Sequence, residues 1–110
     1  MTKLDIALPP HSLAAELASC IEQACAAQGL SVSMRCSLRT YPGSTHWHLK
    51  QGTERGTLEV TLWPRERRLW LSIQSGRAGT WTEAAAERLR AALHHSLWGE
   101  PPADSVPDSG

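Results

Sequence analysis

The sequence predicts an α+β fold: a two-layer sandwich in which a four-stranded antiparallel meander carries two helices on one face, in the order α-β-β-β-β-α. Three observations lead there. Residues 30–39, 46–50, 57–63 and 68–74 alternate apolar and polar side chains, the mark of strands with one buried and one wet face. Apolar residues recur at helical spacing on either side of that block. The links between the alternating stretches are short, which suits hairpins rather than crossovers.

The first helix is expected over about residues 11–28. Pro9-Pro10 suits a first helical turn, where a missing N–H leaves nothing unpaired. Leu13, Leu17, Ile21, Ala24 and Cys25 form its apolar stripe, and Gly29 supplies a left-handed C-terminal cap. In the first strand Leu30, Val32, Met34, Cys36 and Leu38 point inward, while Ser31, Ser33, Arg35, Ser37 and Arg39 point outward. Tyr41-Pro42-Gly43-Ser44 reads as the following turn.

The second strand turns Trp47 and Leu49 inward and His46, His48 and Lys50 outward. The third turns Leu58, Val60 and Leu62 inward and Glu59, Thr61 and Trp63 outward. The fourth turns Leu69, Leu71 and Ile73 inward and Arg68, Trp70, Ser72 and Gln74 outward. Matching the inward residues fixes a register. Cys36 then faces Leu49, Leu38 faces Trp47, and a turn at Glu66-Arg67 sets Trp63 opposite Trp70. The middle hairpin leaves two registers, opposing Glu59 to Lys50 or to His48.

The last helix follows Gly79. Thr80 and Glu83 have the spacing of a capping box, and Trp81, Ala85, Leu89, Ala92, Leu93 and Leu97 line the apolar face. Gly99 and then Pro101-Pro102 end it. Residues 1–99 form one domain, and the Pro/Ser-rich acidic segment 100–110 is expected to be a disordered tail.

The net charge of the 110 residues is zero, but it is unevenly spread. Residues 31–79 hold eight Lys/Arg against Glu54, Glu59 and Glu66, a net of +5 carried by the sheet. That excess favours anionic partners and falls short of a nucleic-acid signature. Cys20, Cys25 and Cys36 are odd in number and lack C-x-x-C spacing, so reduced thiols are expected rather than disulfides. Met1-Thr-Lys-Leu-Asp5 carries no export pattern. No apolar run reaches the roughly 20 residues that a membrane span needs. A cytoplasmic protein with no membrane partner is the expectation.

The chemistry-bearing residues gather on the outer sheet face. Trp63 and Trp70, with Arg68 and Arg39, are residue types enriched at binding hot spots. Their expected exposure suggests a small protein-interaction module that self-associates as a homodimer or binds another protein. The same aromatic and basic residues could stack and pair with single-stranded nucleic acid, the alternative reading. His46-x-His48 places two imidazoles on one side of a strand, and Glu59 on the next strand completes a candidate set of metal ligands. His94-His95 sits at a helix C-terminus, where cations meet the helix dipole favourably. No nucleophile–base pair, phosphate-cradling loop or cofactor motif is recognisable, so no enzyme activity and no cofactor is assigned.

The helix–sheet–helix order is loosely similar to the double-stranded-RNA-binding domain, whose final helix is also alanine-rich. That family carries a lysine-rich helix start where this chain has segment 79–87, and Glu83 stands there instead. The resemblance therefore stops at topology.

Overall fold

A computed structural model describes residues 2–99 of the chain. The elements run β1 (Thr2–Ile6), α1 (Ala14–Ala27), β2 (Ser31–Leu38), β3 (Tyr41–Lys50), β4 (Leu58–Trp63), a 3₁₀ turn (Pro64–Glu66), β5 (Arg68–Ile73) and α2 (Thr82–Trp98). The α+β class holds. The sheet has five strands rather than the four expected, in the spatial order β1-β5-β4-β3-β2, and every pairing is antiparallel. The expected acidic tail, 100–110, lies outside the described residues.

The added strand is β1. Thr2, Leu4 and Ile6 pair with Ile73, Leu71 and Leu69 on the helix side, and Lys3 and Asp5 take the outer side. Five residues alternate cleanly, but their partner is the last strand of the sheet, far away in sequence. Pro9-Pro10 consequently belongs to the link between β1 and α1 and not to a helical turn. Helix α1 starts at Ala14 with no side-chain cap. Its C-terminus behaves as expected. Gly29 takes φ +76°, and the N–H groups of Gly29 and Leu30 donate to the carbonyls of Ala26 and Cys25, a Schellman closure.

Both helices pack on one face and share a single core with the strands. Leu17, Ile21 and Cys25 from α1 and Ala85, Leu89 and Leu93 from α2 meet Trp47, Leu49, Val60, Leu62, Leu69 and Leu71. At the edge of that core, the buried Trp47 indole N–H donates to Glu22 Oε2 at 2.9 Å, and Arg35 donates to the same oxygen at 2.6 Å.

Two register shifts between β2 and β3 correct the expected register of the first hairpin. One extra residue, Ser33, lies in β2 between Val32 and Met34, whereas between Cys36 and Leu38 the extra residues lie in β3, which runs from His46 to Tyr41 over the same step. Each shift changes which residues share a face. Arg35 thus lies opposite Trp47, with its guanidinium 5.7 Å from the indole centroid. Met34 and Cys36 lie opposite His48 and His46, on the outer face, although alternation predicts both inward. The turn is Arg39-Thr40, so Tyr41–Ser44 is strand rather than turn, and Arg39 leaves the sheet face altogether.

The last hairpin is offset as well. The 3₁₀ turn ends on Arg67 in the left-handed region, φ 55°, making a longer connection than a two-residue turn. Trp63 therefore faces Arg68, and Trp70 faces Thr61. The middle hairpin settles on the register that opposes His48 to Glu59. The expected capping box on α2 does not form. Thr82 hydrogen-bonds Gly79 instead, and Glu83 accepts from the Thr2 hydroxyl at 2.6 Å. No helix among the described residues is long and apolar enough to cross a membrane.

Candidate metal centre

Alternation along β3 and β4, locked by the His48–Glu59 register, brings His46, His48 and Glu59 into one cluster on the outer face. One ligand atom from each lies within 4.8 Å of the others. His46 Nε2 is 3.3 Å from Glu59 Oε1, and His48 Nε2 is 3.9 Å from Glu59 Oε2. The two imidazoles meet edge to face, with centroids 5.0 Å apart. His46 and Glu59 are buried, and His48 is partly exposed at the edge of the cluster.

Three side chains around this core orient it. Thr61, paired with His46 across the strands, sets its hydroxyl oxygen 2.8 Å from Nδ1. That contact turns Nε2 toward Glu59. Gln74 Nε2 donates to Glu59 Oε1 at 3.4 Å, and Arg77 Nη1 lies 4.0 Å from Oε2. The described buried side-chain polar atoms all have partners, so the cluster is internally satisfied.

Burial lowers the His46 pKa from its ordinary value, and the neighbouring His48 adds to the lowering, while Glu59 opposes both. A neutral imidazole with a free lone pair is the form that coordinates a metal. Two imidazole nitrogens and one carboxylate oxygen form a borderline donor set, suited to zinc and its neighbours in the first transition row. In a tetrahedral site with bonds of about 2.0–2.1 Å, ligand atoms sit roughly 3.3–3.4 Å apart. The observed 3.3 and 3.9 Å lie near that spacing, and the three ligand atoms lie within 4.8 Å of one another, so the side chains would draw together on binding.

The tryptophans on this face are less open than alternation implies. Trp70 is only 5% exposed. Lys3 Nζ and the Arg68 guanidinium lie 4.9 and 4.7 Å from its ring centroid, and Tyr41 meets it edge-on at 5.1 Å. Trp63 is partly exposed, packs on Tyr41 at 4.9 Å, and donates its indole N–H to the Pro42 carbonyl. Tyr41 thus bridges two indoles that were expected to face each other. Arg68 pairs with Asp5 of β1 at 3.3 Å. Arg39 joins neither group.

Sequence reasoning found the three candidate ligands and missed the residues that orient them. Thr61 was visible as an outward residue next to Glu59, but only the register shows that it faces His46. Gln74 was visible as the last outward residue of its alternating stretch, but not as a partner of Glu59, and Arg77 reaches Glu59 from the loop beyond β5, where no periodicity operates. Comparison with protein-family models, curated proteins and solved structures finds no match to this chain.

Proposed function

We propose that this α+β domain binds a divalent transition metal of the zinc type through His46, His48 and Glu59. One observation supports the reading above others: two imidazole nitrogens and a carboxylate converge within 4.8 Å, with the inner imidazole oriented by a threonine hydroxyl. Such an outer partner on the second ring nitrogen is a regular accompaniment of metal-ligating histidines. Three protein ligands leave one tetrahedral position open, the arrangement of exchangeable rather than purely structural zinc.

The test is titration of tag-free, metal-stripped protein with Zn²⁺ against a chromophoric chelator. One equivalent should bind, and His46→Ala and Glu59→Gln should each abolish that equivalent while retaining the native circular dichroism. Absence of stoichiometric binding of Zn²⁺, Co²⁺ and Ni²⁺ alike would remove the proposal.

A second reading, association with a protein or a second copy through the same face, rests on Trp63, which is partly exposed beside Arg68. Light scattering after size exclusion tests it, with Trp63→Ser expected to dissolve any dimer. The nucleic-acid reading has weaker support, because Lys3, Arg68 and Tyr41 already occupy the surroundings of the Trp70 ring.

A further inference from the structure

We infer that the metal centre takes a small oxyanion, a carboxylate or a phosphate, at its open position, with Arg77 as the second contact. The inference rests on the metal-binding reading above and adds the class of ligand.

Charge carries the argument. Glu59 is the one carboxylate in the cluster, and both other ligands are neutral when they coordinate. A bound dication therefore leaves the centre at a net charge of +1. Arg77 Nη1 is 4.0 Å from Glu59 Oε2, so the arginine faces that positive centre once the metal has claimed the carboxylate. Lys50 adds a further cation on the same strand face. Its ammonium sits on the Gly56 carbonyl at 2.6 Å and the Thr57 hydroxyl at 3.3 Å, one outward position beyond His48 and Glu59. Asp5, the other carboxylate on this face, is engaged with Arg68. Among the described residues no further anion is thus placed to offset the charge.

Geometry points the same way. The Arg77 side chain is 54% exposed while Glu59 is 5% exposed, so the arginine stands at the solvent side of the cluster. Its backbone is held by the loop. Arg77 N–H donates to the Gln74 carbonyl at 3.0 Å, and Thr57 N–H donates to the Arg77 carbonyl at 2.9 Å. The backbone of Arg77 is therefore fixed beside the metal ligands, and its guanidinium has the long contact to Glu59 as its one charged partner among the described residues. A planar fork matches two oxygens of a carboxylate or phosphate, and a metal takes a third contact or shares one of them. Binding of this kind is simple coordination: the anion displaces water from the metal, and no covalent bond is made or broken in the protein.

The full chain loaded with Co²⁺ provides the test, through its visible d–d bands in buffer free of coordinating anions. Acetate and inorganic phosphate are titrated separately. A saturable spectral change with either anion is the expected result, and the anion that acts identifies the chemistry. Arg77→Gln should raise the half-saturating concentration about tenfold or more, the worth of a charge-assisted hydrogen bond. Half-saturation is read on variant protein whose full Co²⁺ loading is verified by chelator competition, so that loss of the anion is separated from loss of the metal. Stoichiometric cobalt whose spectrum neither anion alters, or equal half-saturation in Arg77→Gln, would overturn the inference and leave the metal centre standing. Failure of cobalt to bind is the separate result that removes the centre itself.

Discussion

The Nδ1 of His46 lies 2.8 Å from the hydroxyl oxygen of Thr61, and both residues are buried on the outer face of the sheet. A hydroxyl can donate or accept, so it serves either tautomer of the ring. With the proton on Nε2, directed at Glu59, the threonine O–H donates to Nδ1. With a metal on Nε2, Nδ1–H donates to the threonine oxygen. Thr61→Val keeps the shape and removes both options. Metal affinity should fall by about 10–100-fold, as for other outer-partner losses. Chelator competition on the folded variant measures it, and an unchanged affinity would show that Thr61 does not orient the ring.

Acid should destabilise the metal-free protein through His46. Burial lowers its pKa in the folded state below the ordinary 6.5 of the unfolded chain. Between those two values the unfolded state holds more protons, so stability present above pH 6.5 is lost as pH falls. Melting temperatures of native and His46→Gln protein, compared from about pH 7.5 to about pH 5.5, isolate the contribution. The variant should show the shallower decline.

Cys25 and Cys36 should differ sharply in reactivity. Cys25 is 1% exposed in the core, and burial, with Glu22 nearby, pushes its thiol up to about 12. It should resist a thiol reagent at neutral pH until the protein unfolds, because the thiolate is the nucleophile. Cys36 is partly exposed on the outer face of β2 and should be modified in the native state. Peptide mapping after timed labelling distinguishes them, and early labelling of Cys25 would mean that α1 opens readily.

Gly79 should tolerate no side chain. A Cβ there would stand 2.0 Å from the Arg55 carbonyl oxygen and 3.0 Å from Trp81 Nε1. The Trp81 indole N–H donates to that same oxygen at 2.8 Å, so the clash would break a hydrogen bond that ties the β3–β4 loop to α2. Gly79→Ala should cost on the order of 3 kcal/mol, from overpacking and a lost buried donor together. The urea midpoint reports it, and a change within error would show that the loop yields freely.

What could be read from the sequence was whatever depends on local periodicity. Alternation located β4, β5 and the core of β3, and with them the three candidate ligands, since His46, His48 and Glu59 need only two neighbouring strands and one register. Helical spacing located α1 and α2, and Gly29 and Gly99 marked their ends. Nonlocal and aperiodic features were not legible. β1 has five alternating residues like any strand, but its partner β5 is defined only once the sheet is assembled. The register shifts between β2 and β3 are invisible to a parity argument, because an odd number of extra residues on either strand resets which parity faces the core. Ser33 and Ser37, near those shifts, donate their hydroxyls to the carbonyls of His48 and Ser44. The Trp63–Trp70 pairing failed for a related reason: the left-handed Arg67 lengthens the connection and moves Arg68 into the place opposite Trp63.

The pairing of β1 with β5 also orders the assembly of the molecule in time. The three hairpins joining β2 to β5 form between neighbours, whereas β1 finds its partner only after the chain through Ile73 exists. Ribosomal synthesis makes β1 first and seats it after the other strands. Closing that long loop costs on the order of 2 kcal/mol more in chain entropy than closing a hairpin. Seating β1 is therefore expected to be a late step in folding, and the Lys3 ammonium reaches the Trp70 ring only then. The difference between the stopped-flow emission traces of native and Lys3→Met protein would thus isolate the Trp70 contribution among the five tryptophans and time the completion of the sheet.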